Sequence, residues 1–315
     1  RVQRHRHGRW ILTPDCFDFA RCTAAADDGR PEGDAAMSSK RSWVSSRHAV
    51  LVTLLLIWSL APMIWQLISS FTSSEALVNG AIPFQNRWTL IHYRELLSSD
   101  PPFWRYLLNS TVVAGASTVL TLVLAVPAAY VLAQLPRRWR RGIRSGVMAA
   151  ALFPYVLLFL ALLELARNFH LGNSLFALAL PYSALAMPLA LLLLTAAFEG
   201  LPKDLDDAAR LEGLTLRQRL RWVMLPLIAP ASASTAILVF LFAWNEYPIA
   251  LTWLSRSDLL TLPVAMARIA GSSIYSIPYG AYAAATVLGA IPLLLLVLLF
   301  QRQIVSGLTN GAIKG

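Results

Sequence analysis

The side chains whose types and spacing could do chemistry are few, and one group forms a single run. Trp244, Asn245, Glu246 and Tyr247 follow one another inside a long apolar stretch. Polar groups beside flat aromatic rings are what a hydroxyl-rich ligand needs, so we interpret the run as a candidate substrate pathway. A structural hydrogen bond from Glu246 to a neighbouring helix explains the same carboxylate equally well.

The sequence offers no catalytic constellation. The five His are scattered, and we find no nucleophile–base pair and no metal-ligand cluster. A Gly-x-x-x-x-Gly-Lys-Ser/Thr phosphate loop is also missing, so we expect no ATP hydrolysis by this chain. Carboxylates inside apolar stretches are limited to Glu164 and Glu246, whereas proton-coupled carriers usually show chains of such groups. We therefore expect a translocator without a bound cofactor.

A second candidate region is the polar segment 198–225, whose residues predict two short helices. Pro202 suits a first helical position, and acidic residues follow it at the positive end of the helix dipole. Gly213 would end this helix as a C-cap. Thr215, with Gln218 three residues on, predicts a capping box at the start of the second helix. A solvated loop would not need such regular starts and stops.

Each of the two predicted helices carries an apolar stripe. The stripes consist of Leu205, Ala208 and Leu211 on the first helix and of Leu216, Leu220, Val223 and Met224 on the second. Asp206 and Arg210 stand one turn apart, where an ion pair is favourable. Lying on the membrane surface is one explanation of such a pair, and fitting a groove on a cytoplasmic partner is the other.

Apolar stretches long enough to cross a bilayer must position these residues. The chain is 57% hydrophobic and 14% charged, whereas soluble domains carry about 25% charged residues. Six stretches reach the ~20 residues that cross ~30 Å of hydrocarbon, at roughly 49–71, 108–135, 143–166, 173–197, 226–253 and 280–300. The sequence therefore predicts an all-α, polytopic membrane protein with six transmembrane helices. Prolines recur in these stretches and predict kinks.

Loop charges predict the direction of the chain and account for its net charge of +10. With the N-terminus inside, most Lys and Arg fall on the inner side, above all in Arg137–Arg144 and in the segment 198–225. Cytoplasmic loops show this bias. Both termini are then cytoplasmic, and the loops 72–107, 167–172 and 254–279 are external. Nucleic-acid binding is another common explanation for a basic chain, but the loop charges explain the net charge without it.

Residues 1–36 differ from the rest of the sequence. They are polar and hold both cysteines, Cys16 and Cys22, which lack zinc-site spacing. Met37 is followed by a short basic run that is typical of a cytoplasmic lead-in to a span. We predict a disordered or non-native extension over 1–36 and a transmembrane domain over 37–315.

A spaced pattern within the polar segment points to a family. Asp207-Ala208-Ala209 is followed after three residues by Gly213, after nine more by Val223, and after one more by Leu225-Pro226. This resembles the cytoplasmic signature loop of binding-protein-dependent ABC permeases, which reads Glu-Ala-Ala, Gly, Ile and Leu-Pro at the same spacing. Asp for Glu and Val for Ile are the two departures, and both keep the chemistry.

Two further runs resemble the carbohydrate-type permeases. One is Phe242–Tyr247, and the other is the C-terminal stretch from Gln301 to Gly315. With the signature loop, they resemble the second, smaller permease subunit of maltose-type importers over about residues 45–315. The resemblance implies a type I ABC importer permease of MetI-like architecture in a bacterial or archaeal cytoplasmic membrane.

The resemblance also implies partners and a mechanism. In that family, a homologous second permease subunit completes the pathway, two ATPase subunits hold ATP and Mg beneath it, and an external substrate-binding protein delivers the solute. The loop 198–226 would couple the ATPase to transport. Its implied contact residues are Asp207, Ala208, Ala209, Gly213, Val223, Leu225 and Pro226, and the loop 254–279 would reach into the binding protein.

The cargo stays open among several classes. A sugar, oligosaccharide or glycoside-type solute is the leading hypothesis, and glycerol phosphate or another polyol is the alternative. An ATP-independent secondary carrier belongs to a different class. The scarcity of intramembrane charges and the presence of the loop 198–226 argue against a secondary carrier.

Overall fold

The computed structural model describes residues 34–78, 88–271 and 278–312, and this part of the chain is helical without β-strands. The chain divides into two compact units at Met63 and Ile64. That boundary lies inside the first helix, α1 (Asp34–Ser70), which carries the first candidate span, His48–Ser70. Most of the extension predicted over 1–36 lies outside the described residues, and α1 already begins at Asp34.

Thirteen further α-helices follow α1 within the described ranges. The first six are α2 (Ser74–Val78), α3 (Ile91–Ser98), α4 (Phe103–Gln134), α5 (Arg137–Leu152), α6 (Phe159–Asn168) and α7 (Leu175–Glu199). The other seven are α8 (Lys203–Leu211), α9 (Leu216–Gln218), α10 (Leu225–Leu227), α11 (Ala229–Asn245), α12 (Pro248–Trp253), α13 (Leu262–Ala270) and α14 (Tyr279–Ala312). The π-helical turn Arg219–Met224 joins α9 to α10. The predicted external loops 72–107 and 254–279 therefore contain short helices.

Three of the predicted spans are single long helices in the second unit. They are α4, α7 and α14. Helix α4 begins five residues before its predicted start, α14 ends twelve residues beyond its predicted end, and α7 is shifted by two residues at both ends. Pro127, Pro181, Pro188 and Pro292 lie inside these helices without ending them. Neighbouring helices make such prolines tolerable in membrane proteins.

The predicted spans 143–166 and 226–253 differ from the structure, because neither is one helix. Arg137–Leu152 and Tyr155–Asn168 meet at 77°, and Leu216–Leu227 and Ala229–Asn245 meet at 81°. Pro154 and Pro230 stand at these breaks, since each lacks a backbone N–H and its ring would clash with the carbonyl four residues back. If each bent pair counts as one span, the described chain has six candidate spans.

Helices α4, α7, α11 and α14 pack together as the centre of the second unit. Two apolar clusters hold them, one around Phe103, Tyr182 and Trp244 and the other around Tyr130, Leu194 and Met224. Fully buried alanines, including Ala114, Ala190 and Ala284, let the backbones approach closely, as small residues do between membrane helices. The segment α8–α10 contacts the second cluster through Met224.

Candidate functional site

Helix α8 ends in a left-handed cap built on Gly213. This glycine has φ +77°, a conformation that side chains with a Cβ rarely adopt. Its N–H donates to the Arg210 carbonyl at 3.0 Å, and the Leu214 N–H donates to the Ala209 carbonyl at 3.1 Å. These two hydrogen bonds satisfy carbonyls that a helix end leaves unpaired. The predicted C-cap at Gly213 is confirmed.

The second helix begins at a capping box, also as predicted. The Thr215 N–H donates to Gln218 Oε1 at 2.8 Å, and the Gln218 N–H donates to Thr215 Oγ1 at 3.4 Å. The helix is not regular, however, because the π-helical turn begins at Arg219 and ends at Met224. Such turns are rare and often mark functional sites. The apolar spacing of this segment gave no sign of it.

The signature residues divide between two sides of the segment. Asp207, Ala208 and Gly213 are exposed, whereas Ala209 is only 6% exposed and packs inwards. Among the later ones, Val223 is half-buried, and Leu225 and Pro226 are exposed. The structure thus leaves most of this set free to meet a partner, and Ala209 anchors the helix.

The apolar stripe of α8 points away from the protein. Leu211 is 90% exposed and Leu205 is 39% exposed, and Ala208 is exposed between them. The opposite side of the helix carries the polar Asp206, whose side chain is 16% exposed. A helix that serves its own core would show the reverse arrangement.

Asp206 is the centre of a polar cluster, which we call the Asp206 cluster and define as Asp206, Tyr130, Arg210 and Arg219. The Tyr130 hydroxyl donates to Asp206 Oδ1 at 2.6 Å. Arg219 Nη1 donates to both carboxylate oxygens, at 2.9 and 3.0 Å. Arg210 contacts Oδ2 through Nε at 3.0 Å and Nη2 at 2.8 Å. The predicted pair of Asp206 and Arg210 is therefore confirmed as part of a larger arrangement.

The Asp206 cluster joins α8 to two other parts of the fold. Tyr130 comes from α4, and its ring lies 5.4 Å from that of Phe198 in α7. Arg219 opens the π-helical turn, and its side chain is 11% exposed. A cavity of about 690 Å³ lies beside the cluster, where Asp206 and Arg210 face the ends of α4, α5 and α7.

The predicted pathway run Trp244–Tyr247 is split by the fold. Helix α11 ends at Asn245, and Trp244 is 3% exposed within the first apolar cluster. Glu246 is also 3% exposed. Asn245 and Tyr247 are exposed at this helix end, so they are the two members of the run with surface for a ligand.

The Glu246 carboxylate is occupied by protein groups. Oε1 accepts from the Ile249 N–H at 2.9 Å, and Oε2 accepts from the Ala250 N–H at 3.1 Å and from the Tyr182 hydroxyl at 2.5 Å. The two N–H groups belong to the first turn of α12, where a carboxylate is favourable. Glu246 thus caps α12 and ties it to α7, which favours the structural explanation for this residue.

Hydrogen bonds connect the described part of the loop 254–279 to α4 and to the turn before α7. Asn109 Nδ2 in α4 donates to the Asp258 carbonyl at 3.1 Å. Asn173 Oδ1, in the turn before α7, accepts from the Ser255 N–H at 2.8 Å and the Arg256 N–H at 3.1 Å. Side-chain hydrogen bonds from Arg256 also lower the pKa of the Asp258 carboxyl. Residues 254–262 are therefore a fixed platform.

No group of three or more His, Cys, Asp or Glu side chains that could hold a metal occurs in the described ranges.

Comparison with known proteins places this geometry in a family. The family described as binding-protein-dependent transport system inner membrane component matches residues 122–310, a range that includes α8, the capped turn and the Asp206 cluster. The chain is similar to the sulfoquinovosyl glycerol transport system permease protein of Agrobacterium fabrum, with 39% identity over 267 residues, or 84% of this chain and 93% of the relative. It is also similar to the trehalose transport system permease protein of Mycobacterium tuberculosis, with 37% identity over 85% of this chain and 97% of the relative.

A solved structure agrees with these relatives in fold. A chain of a bacterial ABC transporter involved in the import of the acidic polysaccharide alginate superposes with a TM-score of 0.69 at 20% identity, over 87% of this chain and 98% of that chain. The architecture expected from the signature loop is therefore observed. The chain belongs to the family of inner membrane components of binding-protein-dependent transport systems, which are the permease subunits of ABC importers.

Proposed function

We propose that this permease translocates a sugar, oligosaccharide or glycoside-type solute across the cytoplasmic membrane of a bacterium or archaeon. Its relatives carry names that refer to a sulfonated sugar glycoside and to trehalose, and the matching solved transporter imports a polysaccharide. Asn245 and Tyr247, exposed at the end of α11, supply an amide and an aromatic hydroxyl. Such groups suit a hydroxyl-rich ligand.

The energy for transport comes from two partner ATPase subunits, which hold ATP and Mg. The observation that carries this proposal is the outward stripe of α8, with Leu211 90% exposed and Asp206 turned inwards. An exposed apolar helix face that no part of the described chain covers suits a groove on a partner. The segment Asp207–Pro226 is the proposed contact surface, and both termini lie on the cytoplasmic side in this proposal.

Two further partners complete the proposed assembly. A homologous second permease subunit forms the other half of the pathway, and an external binding protein delivers the solute to the opposite face. The fixed platform 254–262 lies at the other end of α4 from Tyr130 and the Asp206 cluster. This placement suits docking of the binding protein on one side and of the ATPase on the other.

The cargo class is tested with the binding protein that functions with this permease. Its affinity is measured by calorimetry for disaccharides, oligosaccharides, glycosides, glycerol phosphate and free polyols. Uptake of the tightest ligand is then compared between a deletion strain and the same strain complemented with this permease. We expect a sugar or glycoside to bind most tightly and its uptake to depend on the permease. Selective binding of glycerol phosphate or a free polyol would contradict the sugar class.

A further inference from the structure

We propose that Asp206 is the positioning residue that transmits movement of α8 to the transmembrane helices. This inference rests on the proposed function, because α8 has to receive the movement from an ATPase. It goes beyond the exposed signature residues, since Asp206 faces the protein and its side chain is only 16% exposed.

Apolar packing gives α8 little hold on the rest of the fold. From Asp204 onward, Ala209 is the one apolar side chain of α8 that is buried, whereas Leu205, Ala208 and Leu211 are exposed. Alanine presents a single methyl group, and apolar contact is non-directional. The orientation of the helix therefore rests on the polar contacts of Asp206, with one further hydrogen bond from Arg210 Nη2 to Gln134 Oε1 of α4 at 3.1 Å.

The Asp206 carboxylate accepts directional hydrogen bonds from three different segments of the structure. It accepts hydrogen bonds from Tyr130 on α4, from Arg219 on the π-helical turn, and from Arg210 on its own helix. Hydrogen bonds between ionised groups are short and about twice as strong as neutral ones. The side chains of Asp206 and Arg219 are 16% and 11% exposed, so solvent and salt screen this pair less than a surface pair.

Arg219 depends on Asp206 for its pairing. Its Nε is buried and has no hydrogen-bond partner within the described ranges, while its Nη1 donates to both Asp206 oxygens. Loss of the carboxylate would leave a largely buried guanidinium without its counter-charge, which is costly. The position of Arg219, and with it the start of the π-helical turn, is thus tied to α8.

The two anchors lead to different helices of the transmembrane core. Tyr130 is in α4, which packs along α7 and α11. Arg219 begins the continuous segment that leads through Met224 to the 81° bend before α11. A rigid displacement of α8 is therefore passed to α4 and to α11 together, as a two-state transition of packed elements requires.

The test uses the full assembly, with this permease, its second permease, the ATPases and the binding protein in proteoliposomes. The number of sugar molecules imported per ATP hydrolysed is measured for wild type, D206N, Y130F, R219K and the control D204N. Asp204 is exposed on the same helix, so D204N removes an equal charge outside the cluster. Co-purification of the ATPase with each variant verifies assembly.

We expect D206N to reduce the imported sugar per ATP about tenfold, because its amide nitrogen cannot accept from either guanidinium. Y130F and R219K, which keep most of the packing, should reduce the ratio by a smaller factor, and D204N should match wild type. The double variant D206N/Y130F should be no worse than D206N, since both changes break one linkage.

Three results would overturn the inference. One is a wild-type ratio in D206N, another is wild-type ratios in both Y130F and R219K, and the third is a fully additive double variant. If D206N does not assemble, Y130F and R219K decide. Uptake by the wild-type assembly that needs no ATP would refute the proposed function itself, and the role of Asp206 with it, so the two failures are told apart.

Discussion

Replacement of Gly213 tests the turn that presents the coupling segment. An added Cβ would meet no atom within 4 Å, so G213A introduces no clash. The change acts through the backbone alone, because φ +77° is the left-handed region, which costs an L-residue roughly 1–2 kcal/mol. A β-branched residue is stiffer still, so G213V should cost more than G213A.

The strain has two measurable consequences. Thermal unfolding in detergent should show G213A less stable than wild type by about 1 kcal/mol. If the turn instead opens to relieve the strain, the hydrogen bonds from Gly213 and Leu214 to α8 break, and α9 loses its fixed orientation relative to α8. In reconstituted transporter, the sugar imported per ATP should then fall in G213A and fall further in G213V.

The matched control is G142A in α5. An added Cβ at Gly142 also meets nothing within 4 Å, but this residue lies inside a regular helix without a positive φ. Alanine should be neutral there or stabilise by about 0.5–1 kcal/mol. If G213A and G142A behave alike in both stability and coupling, the reasoning about the capped turn is wrong.

Three other changes have distinct outcomes. G280A places a Cβ against the His92 ring and should cost about 1–3 kcal/mol as overpacking. At Gly115, inside α4, an added Cβ meets nothing within 4 Å, so G115A should be neutral or stabilising in the same unfolding assay. E246Q replaces one acceptor oxygen by a donor and should lower the melting temperature, with a loss of about 1–3 kcal/mol; unchanged stability with abolished uptake would instead place Glu246 in the substrate pathway. L211D changes a side chain that is 90% exposed, so the isolated permease should keep its stability within about 0.5 kcal/mol. The same variant should lose the ATPase in co-purification, and full retention would show that the α8 face is not the contact.

Features that depend on neighbouring residues were predictable from the sequence. The C-cap at Gly213 and the capping box of Thr215 and Gln218 involve residues a few positions apart, so residue types alone determined them. The spans α4, α7 and α14 followed from apolar length. The breaks at Pro154 and Pro230 were harder to predict, because Pro127 and Pro292 stand in helices that continue.

Features that depend on tertiary packing were not predictable. Tyr130 and Asp206 are 76 residues apart, and no local pattern links a tyrosine inside a span to an acid in a polar loop. The sequence likewise drew attention to the exposed Asp207, while its neighbour Asp206 makes the internal contacts. For Glu246 a local signal does exist, since Pro248 suits a first helical position, but the continuous apolar run 226–253 predicts a single span and conceals that signal.

The central claim is that partner ATPases drive transport through this permease by way of α8. The most direct measurement is uptake of the binding protein's ligand into proteoliposomes that contain the full assembly, with ATP, with a non-hydrolysable analogue, and with L211D in place of the wild-type chain. We predict uptake with ATP, none with the analogue, and loss of both ATPase attachment and uptake in L211D. Uptake with the analogue, or ATP-driven uptake at the wild-type rate in L211D, would contradict it.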